Sequence, residues 1–290
     1  CGLCAASSSI TMLVAARMIQ ATGAAAAAAL SLALAKDLYE GVERQKVLAY
    51  IGVIIPLCPM IAPMIGGLLL KYLSWEWIFI CQAVLALVSL YGTLRLKEPA
   101  FEKTKGGFVA VAKRYGVLLR NKGYMVYNLA FSILPTGFYA FLAGSAAIYI
   151  TDFGMNEQMY SLYFGFNALC LMIGSFVCSR LSGVYSEFSI LNVSLAGLLA
   201  SGILMLALNG ATPLVFMLCM GLVSLFIGVS RPISNNMVLE QVDEDVGSAS
   251  SLLTFVIFFC GALAMQVISL NLLPKITIIG ILGIGGALLP

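Results

Sequence analysis

Apolar residues run through this chain in blocks of about twenty, broken by short polar stretches, and most blocks are apolar all round rather than one-faced. Blocks of that length match the hydrocarbon core of a bilayer. The pattern predicts complete helices near 11–35, 46–70, 76–94, 124–150, 160–179, 188–208, 214–238 and 248–270, with partial ones at 1–9 and 276–290. Because backbone groups in lipid must be satisfied within the segment, the expected architecture is an all-α membrane bundle. Both ends fall inside apolar blocks, so the bundle is expected to be truncated at both ends, starting within a third span.

Only one sizeable hydrophilic stretch interrupts the pattern, and it predicts the domain organisation: a helical half over 1–94, a linker over 95–122 and a second helical half over 123–290. Within the linker, Phe108, Val111, Tyr115, Val117 and Leu118 alternate with Lys113, Arg114 and Arg120. That mixture suits an amphipathic helix on a membrane surface, or a partly ordered connection between halves. Three complete spans precede the linker and five follow, an imbalance if the halves are structural repeats.

Composition agrees: 61% of the 290 residues are hydrophobic and 10% charged, with a mean hydropathy of +1.01. A soluble domain carries about a quarter charged residues. Twelve of the sixteen cations fall on one side of the predicted spans if the linker is cytoplasmic, and only Lys71 and Lys275 on the other. This asymmetry orients a membrane protein and gives no reason to invoke a nucleic-acid partner. Eight cysteines lie mostly in apolar runs, where they act as small hydrophobes, and Cys1 and Cys4 have redox spacing without the strand such a motif needs. There is no histidine to support a zinc site, and no cofactor is implied.

The segment Gly52–Gly67 places Pro56, Pro59 and Pro63 in an uncharged apolar run. Each proline removes a backbone donor, which predicts a bent span, and Gly66 and Gly67 are expected to admit a close helix neighbour. A bent, glycine-bearing span suits a helix that rocks or seals a pathway.

Two arginines interrupt apolar spans. Arg17 costs roughly 2.5–3.5 kcal/mol at a span centre, so it either snorkels to the interface or pairs with a carboxylate whose proton affinity it lowers. None of the thirteen acidic residues lies mid-span. Arg231 stands near the end of its span beside Pro232, Asn235 and Asn236, and is expected to snorkel. At least one of the two asparagines should face the interior. Helical spacing puts Asn128, Ser132, Pro135 and Tyr139 on one face, and Tyr160, Tyr163, Phe164 and Asn167 on another. Such aromatic and amide faces form either a cavity wall for amphiphilic ligands or polar contacts between helices. Tyr160, at the span edge, fits an interfacial anchor.

Several motifs in order resemble the major facilitator superfamily, in particular the drug:proton antiporters of the Bcr/CflA type, the bicyclomycin- and chloramphenicol-resistance exporters. Arg17-Met-Ile-Gln20-Ala-Thr-Gly23 with the alanines after it is similar to their fourth-span motif. Pro59-Met-Ile-Ala62-Pro63-Met-Ile-Gly66-Gly67 resembles their antiporter motif, with Ala62 where the wider superfamily has Gly. Ser74-Trp-Glu-Trp-Ile-Phe79, Ala140–Ser145, Tyr163-Phe164 with Asn167, and Gly247–Ser251 also match. The resemblance implies a major facilitator bundle in a bacterial inner membrane, with the linker cytoplasmic. It implies proton-driven efflux of small drug-like molecules by alternating access, rather than an enzyme activity. Arg17 would serve proton coupling, with its carboxylate partner upstream of Cys1. The substrate cavity would draw on Gln20, Asn128, Ser132, Tyr139, Tyr163, Asn167, Asn235 and Asn236, and the span bearing Pro59, Ala62, Pro63, Gly66 and Gly67 would seal it. A substrate:proton symporter of the same fold is the alternative within transport. A membrane scaffold or receptor is the alternative outside it. The expected partners are protons, an amphiphilic small molecule and the lipid bilayer.

Overall fold

The computed structural model describes residues 1–38, 61–62, 65–95, 108–182, 184–242, 246–270 and 272–290. They belong to two compact units, Cys1–Lys105 and Gly106–Pro290. Every regular element among the described residues is helical.

The first unit contains α1 (Gly2–Ala5), α2 (Ile10–Leu38), helical residues 65–72 and α3 (Glu76–Arg95). The partial helix expected over 1–9 is only one turn long, because serines divert its backbone. Ser7 Oγ donates to the Cys4 carbonyl at 2.7 Å, and Ser9 Oγ accepts from Met12 N at 3.2 Å, starting α2 instead. With 29 residues, α2 extends about 44 Å at 1.5 Å per residue, longer than the ~30 Å bilayer core. Of the span expected over 46–70, only 61–62 and 65–70 lie within the described residues.

The second unit contains α4 (Phe108–Arg120), α5 (Lys122–Ile133), α6 (Thr136–Ala146), a π-helical turn Ala147–Asp152, α7 (Glu157–Leu181), α8 (Glu187–Leu208), α9 (Pro213–Leu239), α10 (Val246–Ser269) and α11 (Lys275–Leu288). The linker's basic, amphipathic stretch is helical, as α4, and buries Leu118 while leaving Val117 exposed. Polar breaks between apolar blocks serve as caps. Asn121, Asn156, Ser186 and Thr212 each accept a hydrogen bond from the backbone N–H three residues on, and Pro213 occupies the first turn of α9, where its missing donor is harmless.

The helix expected to run unbroken over 124–150 is interrupted at Leu134–Pro135. Pro135 has no N–H to give, and Thr136 Oγ1 serves the Ile133 carbonyl at 2.7 Å. In contrast, α9 continues straight through Pro232. The carbonyl that Pro232 cannot reach belongs to Gly228, and Ser175 of α7 donates to it at 3.2 Å.

α9 contributes many enclosed residues, including Phe216, Met220, Ser224 and Val238, each 0% exposed. It packs on α7 and α8, while α11 packs on α6 and α8 and α10 on α6 and α5. The α7–α9 crossing is backbone on backbone. A methyl on Gly174 would collide with the Leu225 carbonyl, and one on Gly228 with the Leu171 carbonyl. Outward lines remain apolar, as Leu214, Leu218 and Leu222 of α9 show. Among the described residues, six helical segments are long and apolar enough to cross a membrane. The chain is a multi-pass membrane protein.

Candidate functional site

In the first unit the polar chemistry gathers around Arg17. The i, i+3 spacing on α2 lets Arg17 Nη1 donate to Gln20 Oε1 at 2.7 Å. Gln20 Nε2 donates in turn to Gln82 Oε1 of α3 at 2.8 Å and to Cys1 Sγ at 3.0 Å, and Cys4 Sγ donates to Gln20 Oε1 at 3.6 Å. The guanidinium also lies 5.7 Å from the centre of the Phe79 ring. Among the described residues no carboxylate is within salt-bridge distance of Arg17, so an amide and a ring hold a full positive charge in place. Arg17 and Gln20 line an open concavity of about 670 Å³ together with Leu13, Met18 and Ala21. Gln82 was not foreseen from the sequence. Its signal is a lone amide in an otherwise apolar span, which must find a partner.

Of the proline-bearing segment, Pro59 and Pro63 lie outside the described residues. Ala62 is exposed, and Gly66 and Gly67 are half-buried. Among the described residues nothing stands within 4 Å of a methyl built on Gly66. Among the described residues, tight backbone approaches are seen at Gly174 and Gly228.

In the second unit, Asn128 and Ser132 do share a face, and the structure closes it into an internal chain of hydrogen bonds. Ser132 Oγ donates to Asn128 Oδ1 at 3.1 Å, Asn128 Nδ2 donates to the Tyr124 hydroxyl at 3.3 Å, and that hydroxyl donates to the Ala249 carbonyl of α10 at 2.6 Å. Asn128 and Ser132 are both 0% exposed. Asn167 is equally enclosed: its Nδ2 donates to the Tyr163 carbonyl at 2.9 Å, and its Oδ1 accepts from Ser224 of α9 at 3.4 Å. Asn167 thus joins α7 to α9, whereas Asn128 bonds only within α5 and reaches α10 through Tyr124.

Tyr163 sits edge-on to Tyr149 at 5.6 Å, in an aromatic nest with Tyr160, Phe164, Phe153 and Phe216. Tyr160, expected as an interfacial anchor, is half-buried in that nest and hydrogen-bonds Ser145 at 3.1 Å. The Tyr149 hydroxyl is buried without a hydrogen-bond partner among the described residues.

Tyr139 is fixed by its surroundings. Phe258 meets its ring edge-on at 6.0 Å, and the backbone of Gly261 lies so close that an added methyl would come within 2.7 Å of it. Arg231 is exposed, eight residues before Leu239 at the end of α9. Asn235 is half-buried one turn along the same line, whereas Asn236 donates to Glu240 Oε1 at 2.9 Å and Glu187 Oε1 at 3.4 Å at the exposed end of α9.

Comparison with known proteins accords with this architecture. The family model described as Major Facilitator Superfamily matches residues 1–265. The chain is 30% identical over 275 residues to the MFS-type transporter YdgK of Bacillus subtilis, covering 92% of this chain and 68% of that protein. It is 27% identical to a bicyclomycin resistance protein homolog of Haemophilus influenzae, covering 85% of this chain and 63% of that protein. It is 26% identical to the multidrug transporter MdfA of Yersinia pestis, over 60% of this chain and 43% of that protein. The chain thus spans about two thirds, or less, of the length of these relatives. A helical bundle of apolar spans, polar side chains turned inward and a family match over most of its length together place the chain in the major facilitator superfamily, whose members are membrane transporters rather than enzymes.

Proposed function

We propose that this protein exports small, amphiphilic, drug-like molecules across the inner membrane of a bacterium, driven by protons flowing the other way. Arg17 carries the reading. A cation inside a span whose partners are an amide and a ring keeps its field available, and a cation lowers the pKa of any carboxylate brought close to it. Such an arrangement can eject a proton at one stage of a cycle and release the carboxylate to regain one at another. Gln20 and Gln82 fix the guanidinium in position. The names of three relatives support the cargo class: a bicyclomycin resistance protein homolog, a multidrug transporter and the chloramphenicol resistance protein CraA of Acinetobacter baumannii. In this reading the two halves rock about a central cavity, the segment 95–122 is cytoplasmic, and the span holding Pro59, Ala62, Pro63, Gly66 and Gly67 seals one side.

The test is flux into liposomes with an acidic lumen. Chloramphenicol should accumulate inside and a protonophore should abolish the accumulation. Arg17→Ala should insert normally yet lose proton-dependent uptake, and Arg17→Lys should recover only part of it, because an ammonium lacks the guanidinium fork that Gln20 holds. Uptake indifferent to the protonophore, or intact in Arg17→Ala, would refute the proposal.

A further inference from the structure

We propose that the second unit holds an anionic phospholipid as a resident ligand, with an acyl chain seated in the cavity between α7, α8 and α9 and the phosphate at Arg180. The site does not depend on what the protein transports.

The lining of the cavity supplies the first observation. It encloses about 330 Å³, and its walls are Val177 and Leu181 of α7, Ile190 and Val193 of α8, and Phe226 and Val229 of α9. It lies beside the α7–α9 crossing, since Val229, whose backbone Gly174 meets, also lines it. The two serines at its wall turn their hydroxyls to protein: Ser194 Oγ donates to the Leu191 carbonyl at 2.7 Å, and Ser189 Oγ pairs with Ser186 Oγ at 2.9 Å. A pocket for a drug-sized molecule ordinarily presents a few polar groups that fix its orientation. This one presents hydrocarbon, which suits a chain of methylenes.

Depth supplies the second. At the far end the Phe226 ring presses on the bare backbone of Gly197, where a methyl would collide with it. Gly197 stands ten residues after Glu187, the start of α8. That is about 15 Å along the helix, half of the ~30 Å hydrocarbon core. The cavity therefore runs from the end of the span to near the bilayer middle, the reach of an acyl chain in one leaflet. It opens sideways to lipid, because Tyr185 and Val193 at its edge are 59% and 67% exposed.

Charge at the mouth supplies the third. Arg180 is exposed, next to Leu181 in sequence and one turn on from Val177, and its guanidinium lies 5.1 Å from the centre of the Phe176 ring. Among the described residues no carboxylate is within salt-bridge distance of Arg180. Glu187, at the nearby start of α8, accepts from Asn236 instead. The guanidinium fork matches two phosphate oxygens. Tyr185 stands at the same mouth, as amphipathic rings do at headgroup level.

Native mass spectrometry of the full chain tests this, with the protein delipidated in maltoside micelles and titrated with dioleoylphosphatidylglycerol or dioleoylphosphatidylcholine. Wild-type protein should hold one phosphatidylglycerol about fivefold more tightly than phosphatidylcholine, as one interfacial cation provides. Arg180→Gln should bring phosphatidylglycerol to the level of phosphatidylcholine without moving the latter, which reports that the chain still seats. Val177→Phe puts a ring into the cavity and should weaken both lipids by about tenfold. Glycerol 3-phosphate, the same phosphate without chains, should displace neither. Equal retention of the two lipids in wild type, a preference that survives Arg180→Gln, unchanged retention in folded Val177→Phe, or displacement by glycerol 3-phosphate would each overturn the proposal. Displacement of phosphatidylglycerol by chloramphenicol would also overturn it, by making the cavity a cargo site. Should Val177→Phe fail to fold by size exclusion, Arg180→Gln decides, since its side chain is exposed and its loss leaves the packing intact.

Discussion

Ser175 Oγ lies 3.2 Å from the Gly228 carbonyl of α9 and 3.2 Å from the Leu171 carbonyl of its own helix, so a side chain of α7 shares its proton with the backbone of α9 where Pro232 has left it open.

That dependence can be measured. Ser175→Ala should destabilise the protein by about 1 kcal/mol, near the upper part of the range for interhelical hydrogen bonds in membranes. In a Pro232→Ala background the Gly228 carbonyl regains a donor from its own helix, and the same serine substitution should cost close to nothing. Reversible unfolding in mixed micelles reads both, and equal costs in the two backgrounds would show that the serine bond is incidental.

Glycine substitutions should separate the two units sharply. Gly174→Ala or Gly228→Ala drives a methyl into a backbone carbonyl of the facing helix, which cannot move aside as a side chain would. Each should lower the yield of folded protein severely, by more than about 2 kcal/mol in stability. Gly66→Ala meets nothing within 4 Å among the described residues and should fold normally by size-exclusion and thermal-shift measurements.

Cysteine labelling should distinguish enclosed amides from an accessible cation. In a background lacking the eight native cysteines, Asn128→Cys and Asn167→Cys should resist a small water-soluble thiol reagent, because these positions are 0% and 1% exposed. Arg231→Cys should react, and faster than either by an order of magnitude or more. Prompt labelling at Asn128 or Asn167 would return those residues to the cavity wall.

How much of this was legible in the sequence follows from the range of each interaction. The spans expected at 11–35, 76–94, 160–179, 188–208, 214–238 and 248–270 were readable to within a few residues, since crossing a bilayer is a matter of length and apolarity. Arg17 was readable as a charge out of place. Its setting was not: the Gln20–Gln82 bond joins residues 62 apart, and no local pattern records it. A helical wheel put Asn128, Ser132 and Tyr139 on one face but could not say which neighbour covers each stretch of it. The first two are sealed by Tyr124 and α10, whereas Tyr139 packs against Phe258 and Gly261. Likewise the adjacent Gly66 and Gly67 drew attention as a motif. The close crossing uses Gly174 and Gly228, single residues on different helices, because an intimate contact needs one bare position from each side.

That crossing has a mechanical consequence. Where Gly174 and Gly228 meet the facing backbone no side chain separates α7 from α9, so the two helices are keyed together like mortise and tenon, and neither can slide or roll there without forcing a carbonyl into the other's backbone. Whatever shape changes this protein makes in the bilayer, the two helices must travel as one stiff plate. Flexing is left to seams made of interdigitating side chains, such as the rings around Tyr149, where one packing can be exchanged for another without breaking the chain's own scaffold.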